Sequence, residues 1–189
     1  MIPLAFINYG GIQAIQTLWA GPWMLNITGY TPLESATGLF WINITMLISY
    51  FIWGYILPKV SEYGLSSVKL IKLGLPISYF SLFLIIYFGQ NSGAFLFTVY
   101  IVTSIVISLT QPATALNFPK NLAGKSLTSY NVFLFSGTFF IQWGIGLVID
   151  FCSNKGFDVL SSYRISFSLF LILCVLSYIF FVYLNRNET

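Results

Sequence analysis

The chain has 189 residues, of which 57% are hydrophobic and only 7% charged, with a formal net charge of +3. A soluble domain carries about 25% charged residues to hydrate its surface; at this composition and a mean hydropathy of +0.84, most of the outer surface cannot face water. In lipid every backbone amide must be paired within the protein, which leaves helices or closed barrels, and unbroken apolar runs such as Ile165 to Leu184 exclude the alternation of a barrel strand.

An all-α membrane protein of six transmembrane helices is therefore expected. A span needs about 20 mainly apolar residues to cross roughly 30 Å of hydrocarbon. The first candidate runs from about Leu4 to Met24 and carries Tyr9, Gln13, Gln16 and Ala20 at spacings of four, three and four, which is one helical stripe. The second, Ser35 to Leu57, contains Trp41 and Asn43, whose facing the sequence leaves open. The third is Leu70 to Phe88, with Pro76 inside it. The fourth, Ala94 to Leu116, repeats the stripe with Tyr100, Ser104, Ser108 and Gln111. The fifth, Leu127 to Ile149, places Asn131, Thr138 and Gln142 on one face, and the sixth is Ile165 to Leu184. No connection between them is long enough to form a soluble domain, so residues 1–189 are read as a single membrane domain.

Basic residues are retained on the cytoplasmic side of a membrane. Lys59, Lys69, Lys72, Lys120, Lys125 and Arg186 fall on one side of the six-span register, and only Lys155 and Arg164 on the other. This predicts cytoplasmic termini. All charges lie in or near connections and ends, as the expense of burying one in hydrocarbon requires. The start lacks a basic flank and a small-residue cleavage site, so no signal peptide is expected.

The chemistry available is narrow. There is no histidine, which removes the commonest general base and metal ligand together. Cys152 is expected in a polar connection and Cys174 in mid-span, at different depths and unpaired. No enzyme activity, metal, cofactor or nucleic-acid partner is expected. The polar stripes leave two readings open: hydrogen bonds that hold helices together, or a polar path for a solute. Glycine and proline at Gly10-Gly11, Gly21-Pro22, Pro76, Pro112, Gly137, Gly144 and Gly146 fit either close helix packing or hinges.

The stretch from Phe118 through Pro119-Lys120-Asn121-Leu122-Ala123-Gly124-Lys125 to Asn131 resembles the loop and helix start before the eleventh helix of major facilitator superfamily transporters. Phe139 to Asp150, with Gln142-Trp143-Gly144 inside it, resembles the rest of that helix in a bacterial branch, and Leu18-Trp19-Ala20-Gly21-Pro22-Trp23 is similar to the end of the seventh. In the loop after the second span, Gly54, Lys59 and Gly64 keep the family's outline, but its Asp-Arg pair is missing.

The resemblance implies the carboxyl-terminal half of a twelve-helix transporter in the bacterial inner membrane, with solute bound between two halves that rock in alternating access. The implied partners are the bilayer, a small solute, and either a missing amino-terminal six-helix half or a second copy, this chain being truncated or split. The first and fourth spans would line the cavity. Gln13, Gln16, Tyr100, Ser104 and Gln111 are then the foremost candidates to bind solute, followed by Asn131 and Gln142. A proton carrier would lie in the other half, or at Glu34 or Asp150. The alternative is a non-transporting six-helix scaffold or regulatory partner.

Overall fold

The computed structural model describes residues 1–119 and 121–186. Lys120, one of the basic residues expected on the cytoplasmic side, lies outside them. The described residues are helical with short turns and contain no strand.

The first rod is α1 (Ile2–Ala14), a π-helical segment (Ile15–Trp19) and α2 (Ala20–Asn26). Then come α3 (Pro32–Glu62), α4 (Ser67–Phe88) and a short 3₁₀ turn (Gly89–Asn91). The next rod is α5 (Ala94–Ser104), a 3₁₀ segment (Ile105–Leu109) and α6 (Thr110–Leu116), followed by α7 (Ala123–Asn154) and α8 (Val159–Leu184). Five stretches are long and apolar enough to cross a membrane: Pro32–Val60, Ser67–Asn91, Ala94–Leu116, Ala123–Asn154 and Val159–Leu184. The segment expected as the first span is helical but not one unbroken α-helix, since the π segment divides it.

Two prolines account for the breaks. A proline inside a helix lacks the N–H for the carbonyl four residues back and clashes with it. Pro22 disturbs the turn at Leu18, inside the π segment, and Pro112 disturbs the turn at Ser108, inside the 3₁₀ segment. Pro76 is accommodated within a continuous α4.

Helices extend beyond the apolar windows because their ends are capped. Thr31 and Glu34 form a reciprocal capping box ahead of α3: the Thr31 N–H donates to Glu34 Oε2 at 2.8 Å and the Glu34 N–H to Thr31 Oγ1 at 3.3 Å. Pro32 fills the first helical position, where its missing N–H costs nothing. The Asp158 carboxylate starts α8 by accepting the Ser161 N–H at 3.2 Å. Hydrogen bonding from the Ser161 side chain, and then from its N–H, holds that carboxyl below its usual pKa. Because α7 runs to Asn154, Cys152 lies buried in its last turn rather than in a polar connection, and both cysteines are unpaired.

The first rod sits at the centre. It crosses α7 where Gly10 meets Gly137 backbone to backbone, and Gly11 lies under the Phe170 ring of α8. The absence of side chains there is what lets the helices approach. Trp23 is fully buried, stacked on Phe167 with ring centroids 4.9 Å apart, and donates its Nε1–H to Ser92 Oγ at 2.9 Å. Helices α4 and α8 run antiparallel. Arg164 at the start of α8 donates to the Ile86 and Tyr87 carbonyls at the end of α4, each at 2.9 Å. At the opposite end Lys72 Nζ donates to the Asn185 carbonyl at 2.6 Å. Lys72 and Arg186 thus share one end of the bundle, and Arg164 occupies the other.

The outside of the molecule is apolar. Phe51 is 71% exposed, Phe95 77% and Leu73 68%, and α3 has only 6% of its apolar window buried. Large continuous apolar surfaces of this kind are foreign to soluble monomers and consistent with an integral membrane protein whose flanks contact acyl chains.

Candidate functional site

The π segment of the first rod gathers polar groups from three helices. Gln16 is buried and points to α3, where its Nε2 donates to Asn43 Oδ1 at 2.6 Å; Asn43 in turn donates to the Leu39 carbonyl at 2.7 Å. Thr17 is exposed on the next position, its hydroxyl donating to the Gln13 carbonyl at 2.6 Å and accepting from Gln142 Nε2 of α7 at 2.8 Å. The Gln142 carbonyl accepts the Trp19 indole N–H at 3.2 Å. Gln13 is half-buried and donates to the Tyr9 hydroxyl at 3.3 Å.

Gln13, Gln16 and Gln142 are thereby brought together, with Thr17 and Asn43 as the links. The cluster contains amides and hydroxyls but no charged side chain, and it lies partly on an open flank, since Thr17 and Asn43 are both exposed. One buried atom stays unpaired: Gln16 Oε1 has no hydrogen-bond partner.

The candidates on the fourth span divide. A 3₁₀ turn advances about 120° per residue against 100° for an α-helix, so five residues of it shift the stripe's phase. Tyr100 and Ser104, before the 3₁₀ segment, are buried inside the bundle, and the Ser104 hydroxyl has no partner. Gln111, after it, is half-buried, as is Asn131. Asn131 stands eleven positions before Gln142 on α7, about 16 Å away along the axis. Neither joins the cluster at the π segment.

No protein-family model, characterised protein or solved structure matches the chain. The function is therefore read from this geometry and from the sequence.

Sequence reasoning passed over Thr17 because a helical threonine ordinarily satisfies itself on the carbonyl four residues back, which Thr17 also does. It also passed over a second polar group, buried where the first rod meets α4 and α8. There Asn8 Nδ2 donates to the Leu4 carbonyl at 2.9 Å and to Ser177 Oγ at 3.0 Å, and Asn8 Oδ1 accepts from the Tyr79 hydroxyl at 2.9 Å. Asn8 lies five positions before Gln13, about 140° round the helix from the stripe. This second group is internally satisfied and sealed, which suits it to holding helices together.

Proposed function

We propose that the chain is one six-span half of a solute transporter of the major facilitator type. In this reading residues 2–26 form the first span and join the five long apolar stretches to make six, since at about 1.5 Å per residue they reach roughly 37 Å. Both termini then lie on the cytoplasmic side of a bacterial inner membrane with Lys59, Lys69, Lys72, Lys125 and Arg186.

The observation that carries the proposal is the exposed Thr17–Gln142 pair beside Gln16–Asn43. Amides and hydroxyls at mid-membrane depth avoid lipid and face protein or a wet cavity. A second six-helix unit laid on this flank, either the missing amino-terminal half or a second copy, would enclose a polar path. The breaks at the π and 3₁₀ segments would give the two rods that flank it room to rearrange as the halves rock. Solute would exchange its water for hydrogen bonds to Gln13, Gln16 and Gln142, with Gln111 and Asn131 further along.

The scaffold alternative has one observation in its favour: most of these polar groups already bond one another. Uptake separates the two. In cells expressing the active assembly, Gln16→Ala and Gln142→Ala should each lower uptake of a transported solute about five-fold, the worth of one hydrogen bond, at unchanged membrane abundance. Uptake equal to wild type in both variants would remove the cluster from the transport path.

A further inference from the structure

The hydrogen bonds of the polar cluster run in a fixed direction, and that direction decides what a solute must bring. Two relays start from backbone carbonyls, which can only accept. In the first, the Thr17 hydroxyl gives its one proton to the Gln13 carbonyl at 2.6 Å. Thr17 Oγ1 is therefore left only to accept, and it takes the Nε2–H of Gln142 at 2.8 Å. The Gln142 amide is thereby turned with Oε1 away from Thr17, and no described residue donates to that oxygen.

The second relay has the same sense one layer deeper. The Leu39 carbonyl requires the Nδ2 end of Asn43, at 2.7 Å, so Asn43 Oδ1 faces Gln16 and accepts its Nε2–H at 2.6 Å. Gln16 Oε1 is left over, enclosed and without a donor. Gln13 repeats the pattern on the open side: its Nε2 is spent on the Tyr9 hydroxyl at 3.3 Å, and its Oε1 receives no hydrogen bond from a described residue. A side-chain amide can in general present either end; the two carbonyls remove that freedom from Gln142 and Gln16. The cluster is short of donors, not of acceptors.

Charge narrows the choice further. Residues 2–26 contain no charged side chain, and none stands between Glu34 and Lys59 on α3. Asp150, the nearest charge along α7, lies eight positions beyond Gln142, about 12 Å further along the axis. A carboxylate or phosphate brought to this face would meet amide oxygens and no donor. An ammonium could donate to them, but its charge would leave water with no carboxylate to compensate it. A hydroxyl donates without carrying charge.

We infer that this face selects an uncharged polyhydroxyl solute, a polyol or sugar, a selection that rests on the transporter reading and narrows its substrate. Hydroxyls of the solute donate to Gln142 Oε1 and Gln13 Oε1, which flank Thr17. Thr17 is a positioning residue: it keeps the Gln142 amide turned oxygen-outward.

The test compares radiolabelled sorbitol, gluconate and glucamine, which share one carbon chain and end in a hydroxyl, a carboxylate or an ammonium. Glucose, glucuronate and glucosamine form a second such set. Uptake is measured in membrane vesicles from cells expressing the active assembly, against vesicles from cells without it. The neutral member of at least one set should enter about ten-fold faster than its charged congeners. Thr17→Val, nearly the same shape, frees the Gln142 amide to turn its N–H outward toward a carboxylate. It should narrow the ratio of neutral to carboxylate uptake about five-fold, the worth of one hydrogen bond, at unchanged abundance. Thr17→Ser should keep the ratio of the wild type. A charged congener entering as fast as its neutral parent would overturn the selection and leave transport standing. An unchanged ratio in Thr17→Val would overturn the relay. Absence of uptake for every member would overturn the inference and count against the transporter reading as well.

Discussion

Replacing Gly137 with alanine should remove more stability than any other single methyl group added to this protein. A Cβ at Gly137 would overlap the Phe6 carbonyl oxygen and stand 2.9 Å from its carbon, and a Cβ at Gly10 would lie 2.5 Å from the Gly137 carbonyl carbon. Both obstacles are backbone, so no rotamer change relieves them. The helices must separate, and the central rod loses its fit to α7. Overpacking of this kind costs typically 1–3 kcal/mol and occasionally more; with backbone on both sides, about 3 kcal/mol is expected, and Gly137→Leu should fail to fold. Gly144 is the internal control. It lies two turns further along α7 with nothing within 4 Å of an added Cβ, so Gly144→Ala should change stability by no more than about 0.5 kcal/mol. Thermal unfolding in mild detergent, read by the loss of a monodisperse species, measures the difference. Equal losses at the two positions would mean that the crossing is looser than the backbone indicates.

The second large effect is expected at Asn8. Leucine has nearly its shape, so Asn8→Leu preserves packing while removing the acceptor of the Tyr79 hydroxyl and the donor to Ser177. Hydrogen bonds between membrane helices average about 0.6 kcal/mol and reach about 1.7, whereas stranding a buried polar group costs about 1–3 kcal/mol. Asn8→Leu strands the Tyr79 hydroxyl in a sealed pocket and removes the bond to Ser177, whose hydroxyl keeps its own bond to the Cys174 carbonyl at 2.8 Å, so about 2 kcal/mol is expected. Tyr79→Phe, which removes one bond and leaves only Asn8 Oδ1 without its donor, should cost less, about 1 kcal/mol. The ordering is the test. If Tyr79→Phe costs as much as Asn8→Leu under the same unfolding conditions, the ring and not the hydrogen-bonded cluster holds these helices.

What the sequence makes legible follows from which forces act locally. The apolar runs, the turn-forming connections and the charge-free interiors locate the helices, because lipid imposes length and composition directly. Cap residues such as Thr31, Glu34 and Asp158 explain why helices overrun those runs: α3 begins at Pro32 and ends at Glu62, outside the predicted Ser35 to Leu57. Helical phase is less legible. The single stripe read from Tyr100 to Gln111 assumes one continuous α-helix, and the 3₁₀ segment ahead of Pro112 breaks that assumption. Partners across helices are the least legible. Gln142 with Thr17 is joined by the packing of the first rod on α7 around Gly10 and Gly137, and Gln16 with Asn43 by the packing of the first rod on α3, where Gly21 faces Leu39; no spacing within any one helix encodes those pairs.

The reading of this protein as half of a transporter depends on water reaching the flank that carries Thr17. Thiol labelling in native membranes measures that directly, in a chain whose Cys152 and Cys174 have been replaced by alanine. Thr17→Cys should react with a charged, membrane-impermeant thiol reagent applied to both faces, while Phe80→Cys, on the exposed apolar side of α4, should not. A Thr17→Cys that refuses the charged reagent yet takes up a lipid-soluble maleimide would place that flank in hydrocarbon and contradict the solute path.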